Sequence, residues 1–348
     1  MKIFITGGFG FIGSQFIRSN IKNNKIINID KITYASQKLA IQEFKNIQNC
    51  RSFKIDICNE KKIKEILFNF KPNVIINFAA ESHVDQSIDK PDNFIKSNIN
   101  GVLSLLKIST EYYRSLSLNK KNQFKFIQIS TDEVFGSLKK NDRKFVESSN
   151  YYPNSPYSAS KASSDHLVRA WNKTFNLPTI VTHCSNNFGP YQNYEKLIPN
   201  VILRAIQLQP ILIYGKGNQI RDWIYVEDHV NAIKKVINQG KPGETYNIGG
   251  DNEIKNIELV KKICDQLDKI LPINNNSRIK KYSNLITHVE DRPAHDQRYA
   301  INCSKIKKNL NWKVENSFEA SLNFTIKWYL ENFNNKKINL ERKGIAKK

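Results

Sequence analysis

The stretch TGGFGFIG, Thr6 to Gly13, decides how this chain folds. It follows the apolar β-rich run KIFIT (2–6) and leads into a helical pattern opening near Ile12. Glycines between a strand and a helix let the backbone turn sharply and approach a pyrophosphate, and the helix N-terminus favours negative charge. The string satisfies GxGxxG through Gly8, Gly10 and Gly13, and GxxGxxG through Gly7, Gly10 and Gly13. A plain tight turn uses glycines too, so the neighbouring segments must decide.

Outward from the glycines the rhythm continues. KIINID (25–30), RSFKIDI (51–57), VIINFAA (74–80), FKFIQIS (124–130) and TIVTHCS (179–185) read as buried strands, with helical patterns at 93–115 and 157–175. Apolar runs separated by helices predict a Rossmann-type, doubly wound parallel α/β sheet. Asp30 ends the second strand at the interval where a carboxylate accepts from an adenosine ribose and repels a 2′-phosphate, which favours NAD over NADP. Lys31 beside it weakens that preference, and Asp56 can meet the adenine edge. After residue 187 the rhythm breaks into segments rich in Pro, Gly and Asn. The expected division is 1–186 plus about 224–250 as the cofactor domain, and about 187–223 plus 251–335 as a smaller, discontinuous C-terminal substrate domain. The basic run KKINLERKGIAKK, 336–348, reads as a mobile tail.

Composition narrows the class. In 348 residues, 40% hydrophobic and 11% aromatic content suits a globular chain with a sizeable core. No apolar stretch approaches the roughly 20 residues that span a bilayer. The strand-like start leaves no room for a signal peptide, so a cytoplasmic location is expected. Five scattered cysteines without a CxxC pair point to neither a disulfide framework nor a zinc site, so no metal is expected. The net charge of +22 comes from dispersed lysines, and no nucleic-acid motif accompanies it.

Chemistry gathers at two places. STDEVFG, 130–136, puts an alcohol and two acids where a buried strand surfaces. Adjacent like charges are costly to desolvate unless something uses them, although acids also end strands in solvated turns. In SPYSASKAS, 155–163, Ser155 can cap a helix and Pro156 fits its first turn. Tyr157 and Lys161 then share one helical face, where an ammonium would lower the phenol pKa. Alone, that pair reads first as an ordinary surface pair; coupled to a nucleotide-binding half it becomes specific.

TGGFGFIG, the Tyr157-xxx-Lys161 pair and Thr131 resemble the extended short-chain dehydrogenase/reductase family. AAESHVDQSI, CSNNFGPYQ, EKLIPN, YGKGNQIRDWIYVEDH and HVEDRPAHDQRYA are similar to its dTDP-glucose 4,6-dehydratase branch. Phe135 stands where that branch usually has Tyr, and Ala294 where it usually has Gly. The resemblance implies NAD as cofactor and a reaction that oxidises C4 of a hexose, eliminates water across C5 and C6, and returns the hydride to C6. It makes Tyr157, with Lys161 and Thr131, the base at the C4 hydroxyl, Glu133 the base at C5 and Asp132 the acid at the C6 hydroxyl. It places Gly7, Gly10, Phe11, Ile12 and Gly13 by the pyrophosphate, and Asp30, Lys31, Ile32, Thr33, Asp56 and Ile57 by the adenosine. Ala79, Ala80, Ser82, Asn98 and Asn187 fall near the nicotinamide. Ser82, Asn186, Lys196, Leu197, Arg221, Asn256, Asp291, Arg292 and His295 fall to the nucleoside-diphosphate sugar. A guanidinium fork suits a diphosphate, although Arg221 and Arg292 could instead form salt bridges with Asp222 or Asp291. A homodimer is also implied.

Three other readings share part of this pattern. A nucleotide-sugar 4-epimerase needs the glycines, Thr131, Tyr157 and Lys161 but no acid–base pair at C5 and C6. A dehydratase of a UDP- or GDP-linked sugar differs only in its base pocket. An NAD-sensing regulator could discard the active-site residues, all of which are retained.

Overall fold

The computed structural model describes residues 1–274, 277–333 and 340, so the expected basic tail lies outside the described residues except for Leu340. Its strands are β1 (Lys2–Thr6), β2 (Lys25–Asp30), β3 (Cys50–Lys54), β4 (Val74–Asn77), β5 (Lys125–Thr131) and β6 (Thr179–Cys184). They continue as β7 (Asn186–Phe188), β8 (Ile211–Tyr214), β9 (Ile220–Tyr225), β10 (Thr245–Ile248), β11 (Glu253–Lys255) and β12 (Ile286–Val289).

Seven of these make one parallel sheet in the order β10-β6-β5-β4-β1-β2-β3. Alternate residues of each strand enter opposite cores, which is why the strands read as continuous apolar runs. Ile3 and Ile5 pack with Phe16 and Ile17 of the helix Phe11–Asn20 and with Val230 and Ile233 of Val226–Gln239. Phe4 packs on the other face with Ile63, Leu67, Val102 and Leu105 from the helices Glu60–Phe70 and Gly101–Ser115. The doubly wound α/β expectation is met. Strand order reverses between β1 and β4, and open sheets of this kind bind ligands outside the carboxyl ends at such a point. A buried polar ladder holds those ends in register. Thr6 Oγ1 donates to Asn77 Oδ1 at 2.5 Å, Asn77 Nδ2 to Gln128 Oε1 at 2.8 Å, and Gln128 Nε2 to Ser164 Oγ at 3.4 Å.

Strand β4 is shorter than its apolar run predicts. β4 stops at Asn77 because Phe78, Ala79 and Ala80 leave the ladder to wall a cleft. The 93–115 helix is also broken, into Pro91–Phe94, a π-helical turn Ile95–Asn100, and Gly101–Ser115. Within the π turn, buried Asn98 holds the backbone of Glu81 on both sides, accepting from its N–H at 2.9 Å and donating to its carbonyl at 3.0 Å. Helix Pro156–Phe175 starts as its sequence predicts, with a Ser155–Ser158 capping box and Pro156 in the first turn.

The remaining strands form a β11-β9-β7 sheet and a β12-β8 pair. Helices Leu197–Ile206, Asn256–Ile270 and Phe318–Phe333 surround a separate core that includes Ile198, Ile202, Leu259, Ile263, Leu322 and Ile326. Because β9 pairs with β7 and β11, the chain returns to the large sheet only with the helix Val226–Gln239 and β10. Leu340 is buried, and its carbonyl accepts from Arg204 Nη2 at 2.7 Å. Among the described residues no helix is long and apolar enough to cross a membrane, and no cluster of His, Cys, Asp and Glu could hold a metal.

Candidate active site

A three-lobed cleft runs along the carboxyl ends of the sheet strands, with lobes of about 90, 260 and 260 Å³. Gly7 and Gly10 are shared by the first two lobes, and Ser82, Glu133, Asn186 and Lys196 by the second and third. The cleft is therefore continuous from the glycine loop to the smaller unit.

The glycine end is built for close backbone approach. Gly7 has φ +74°, and a Cβ there would lie 2.5 Å from the Ala79 nitrogen. A Cβ on Gly13 would lie 2.4 Å from the Gly7 carbonyl, so the first helix can pack onto the turn only without one. Gly10, Phe11, Ile12 and Gly13 face the middle lobe with Ala80, Ser82 and Asn187. The small lobe is lined by Asp30, Lys31, Thr33, Asp56, Ile57 and Ala79. Asp30 accepts from the N–H groups of Phe9 (3.0 Å) and Ile32 (2.8 Å); burial raises its pKa and these bonds oppose the rise. Ile32 itself, at φ +55°, turns the chain rather than lining the lobe, and Asn98 lies behind the wall. Glycine turn, open helix end, ribose-side acid and elongated shape fit a dinucleotide.

The middle of the cleft holds the two acids. A regular strand would send neighbours to opposite faces, but β5 ends at Thr131 and the chain continues as a 3₁₀ turn, Asp132–Phe135. The Thr131 hydroxyl caps this turn by accepting from the Glu133 N–H at 3.3 Å. Asp132 is 2% exposed, and its Oδ2 has no hydrogen-bond partner among the described residues. Burial pushes its pKa well above the usual carboxylate range, and the Glu133 charge adds to the rise. Burial also raises Glu133, but Arg292, Arg221 and Lys196 pull it back. Adjacent acids thus sit in unlike environments.

Tyr157 and Lys161 reach the same lobe. Lys161 Nζ donates to the Ile129 carbonyl at 2.7 Å. Burial, then the Glu133 charge, holds the Tyr157 phenol well above its ordinary range, and the Thr131 hydroxyl opposes this. The net lowering expected from Lys161 is not seen: burial of the phenol dominates. Burial lowers the Lys161 pKa, and Asp165 one turn further along the helix opposes that.

The third lobe brings together Leu197, Asn256, Arg221, Arg292 and His295 with the shared residues. Arg221 donates to the carbonyls of Ile220 and Asp296, and its guanidinium lies 4.2 Å from the Tyr299 ring centroid. Arg292 Nη1 pairs with Asp85 at 2.8 Å, a partner the sequence reading did not name. Its Nε is buried without a hydrogen-bond partner among the described residues, as is Asn256 Oδ1. Asp291 is held off the wall by Gln219 Nε2 (2.9 Å) and His295 Nδ1 (2.6 Å). Asp222 serves neither arginine and accepts from Gly250 N and Asn252 N.

Comparison with known proteins now bears on this geometry. The profile of the family described as GDP-mannose 4,6 dehydratase matches residues 4–324. A dTDP-glucose 4,6-dehydratase of Salmonella typhimurium is 50% identical over 342 residues, covering 95% of this chain and 93% of the relative. One from Neisseria meningitidis is 46% identical and covers 99% of each chain. The chain belongs to the dTDP-glucose 4,6-dehydratase family. The dTDP-glucose 4,6-dehydratase of Bacillus anthracis, solved in complex with NAD, superposes with a TM-score of 0.82 at 39% identity, covering 95% and 97% of the two chains. That of Streptomyces venezuelae, also with NAD bound, gives 0.85 at 34%, covering 95% and 98%. A UDP-glucose 4-epimerase of Thermotoga maritima scores 0.82 at 24% identity and shares the fold alone.

The two departures from the 4,6-dehydratase pattern have structural readings. Phe135 is buried against Phe145, Tyr151 and His183, with ring centroids 5.1, 5.3 and 4.8 Å away, so it packs without a hydroxyl. Ala294 adopts φ +50°, the left-handed conformation that glycine takes at less cost. Sequence reasoning also missed Asp85, Tyr214 and Tyr299, which line the third lobe. Asp85 and Tyr299 lie inside quoted motifs, but only their contacts with Arg292 and Arg221 mark them.

Proposed function

We propose that this chain converts dTDP-glucose to dTDP-4-dehydro-6-deoxy-glucose, with NAD held in the cleft from the glycine loop to Asn187. The observation that carries this reading is the unlike environment of Asp132 and Glu133 beside Tyr157. Elimination needs one carboxyl that holds a proton and one that accepts it.

When bound, NAD supplies reversible removal of hydride from the sugar. Thr131 and Tyr157 hold the C4 hydroxyl, and Tyr157, as the base in its deprotonated form, takes that hydroxyl's proton. Glu133, kept ionised by Arg292, Arg221 and Lys196, takes the proton from C5. Asp132, kept protonated by burial, delivers its proton to the C6 hydroxyl, which leaves as water. Arg221 and Arg292 bind the diphosphate through charge-assisted hydrogen bonds, and Asn256 and Leu197 border the nucleoside. The substrate and cofactor suit the cytoplasm, and a homodimer is proposed through the helices of 91–115 and 156–175.

Incubation with dTDP-, UDP- and GDP-glucose in heavy water tests this. The expected result is a dTDP-linked 4-keto-6-deoxy product, lighter by water and deuterated at C5. A 4-inverted sugar of unchanged mass overturns it in favour of an epimerase. Sedimentation showing only monomer overturns the dimer.

A further inference from the structure

Lys31 adjoins the ribose-side acid Asp30, where a free ammonium would offer a 2′-phosphate a counter-charge. In this chain it is already engaged. Its Nζ lies 2.6 Å from Glu81 Oε1 and 2.8 Å from Ser97 Oγ. All three residues line the small lobe. Glu81 follows the end of β4, and its backbone N–H and carbonyl are both pinned by the Asn98 side chain. Its backbone is therefore fixed at the lobe, and its side chain is only 15% exposed. Around the lobe the acids Asp30, Asp56 and Glu81 face the single lysine Lys31.

We propose that Glu81 is a specificity-determining residue for the cofactor: by engaging Lys31 it withholds the one ammonium in the lobe from a 2′-phosphate. This rests on the dinucleotide reading of the cleft and extends it. Asp30 repels the extra phosphate directly, while Glu81 removes the charge that would offset that repulsion. Asn98, buried behind the wall, positions Glu81.

The test is calorimetric titration of the full chain with 5′-ADP and 2′,5′-ADP, which differ only in the ribose phosphate. In wild type, 5′-ADP binds more tightly. Glu81→Gln keeps the shape and frees Lys31, so 2′,5′-ADP affinity rises about tenfold while 5′-ADP changes less than about threefold. Adding Lys31→Met to Glu81→Gln abolishes the gain. An unchanged 2′,5′-ADP affinity in Glu81→Gln, or a gain that survives Lys31→Met, overturns the proposal. If Glu81→Gln does not fold, Glu81→Met takes its place with the same gain expected, and an unchanged 2′,5′-ADP affinity in that variant refutes the proposal. Failure of 5′-ADP to bind folded wild type refutes the dinucleotide reading instead.

Discussion

Asp132 and Glu133 are consecutive residues on one 3₁₀ turn, yet their carboxyl groups meet different surroundings. The first is buried beside Thr131 with one oxygen unpartnered among the described residues, and the second feels Arg292, Arg221 and Lys196. Burial acts on both, and only Glu133 has three cations opposing it. The division of labour proposed for the elimination rests on this inequality.

Glu133→Gln removes the proposed base while keeping the shape of the side chain. Turnover should fall by roughly 10²–10⁴-fold, the range for loss of a general base. Mass spectrometry in heavy water should show no deuterium entering C5. Unaltered exchange would assign the base elsewhere.

Rate should depend on pH as a bell. Glu133 must be ionised, so activity falls as acid protonates it, on a limb above the ordinary glutamate range because its pKa is raised. Asp132 must hold its proton, so activity falls again as pH climbs through its more strongly raised value. The two limbs belong to the coupled pair. A log-rate profile lacking the alkaline fall would show that Asp132 is not the acid.

Asp132→Asn should separate stability from activity. A carboxyl whose pKa is raised on folding favours the folded state at low pH, and that contribution is lost as pH rises through the folded value. The substitution should therefore raise the thermal midpoint more at pH 8 than at pH 4, by about 2 °C per kcal/mol relieved. Turnover should drop, since an amide gives no proton. Differential scanning at both pH values checks the sign.

Arg292 pairs with Asp85 and also faces Glu133. Arg292→Lys keeps the charge and loses the fork, so dTDP affinity should weaken by about tenfold, the equivalent of about 1.4 kcal/mol and near the lower end for one charged hydrogen bond. Titration with dTDP reads this directly. Equal affinity would remove Arg292 from diphosphate recognition.

Ala294→Gly should stabilise the chain slightly. An alanine at φ +50° costs about 1–2 kcal/mol, partly offset because glycine is freer when unfolded. A net gain of about 0.5–1 kcal/mol should appear in denaturant unfolding. A loss would mean that the Ala294 methyl packs usefully.

Much of the site was legible because its signals are local. The glycine turn, the capped Tyr157 helix and the strand-end acids each depend on residues within a few positions of one another, and local backbone preference places them. Asp85, Tyr299 and Glu81 were not legible as partners. Asp85 meets Arg292, Tyr299 meets Arg221 and Glu81 meets Lys31, each across a long stretch of chain, and no spacing rule encodes such meetings.

The amino-acid sequence determined the parallel sheet, since apolar runs buried on both faces and separated by helices have few other packings. It also determined the dinucleotide turn, because only glycine tolerates that closeness of backbone. Tertiary structure alone decided the electrostatic surroundings of the cleft's ionisable groups. Whether Asp132 keeps a proton, Glu133 loses one or Lys161 can act on Tyr157 depends on burial and on distant cations, and electrostatic energy follows distance through space, not separation along the chain.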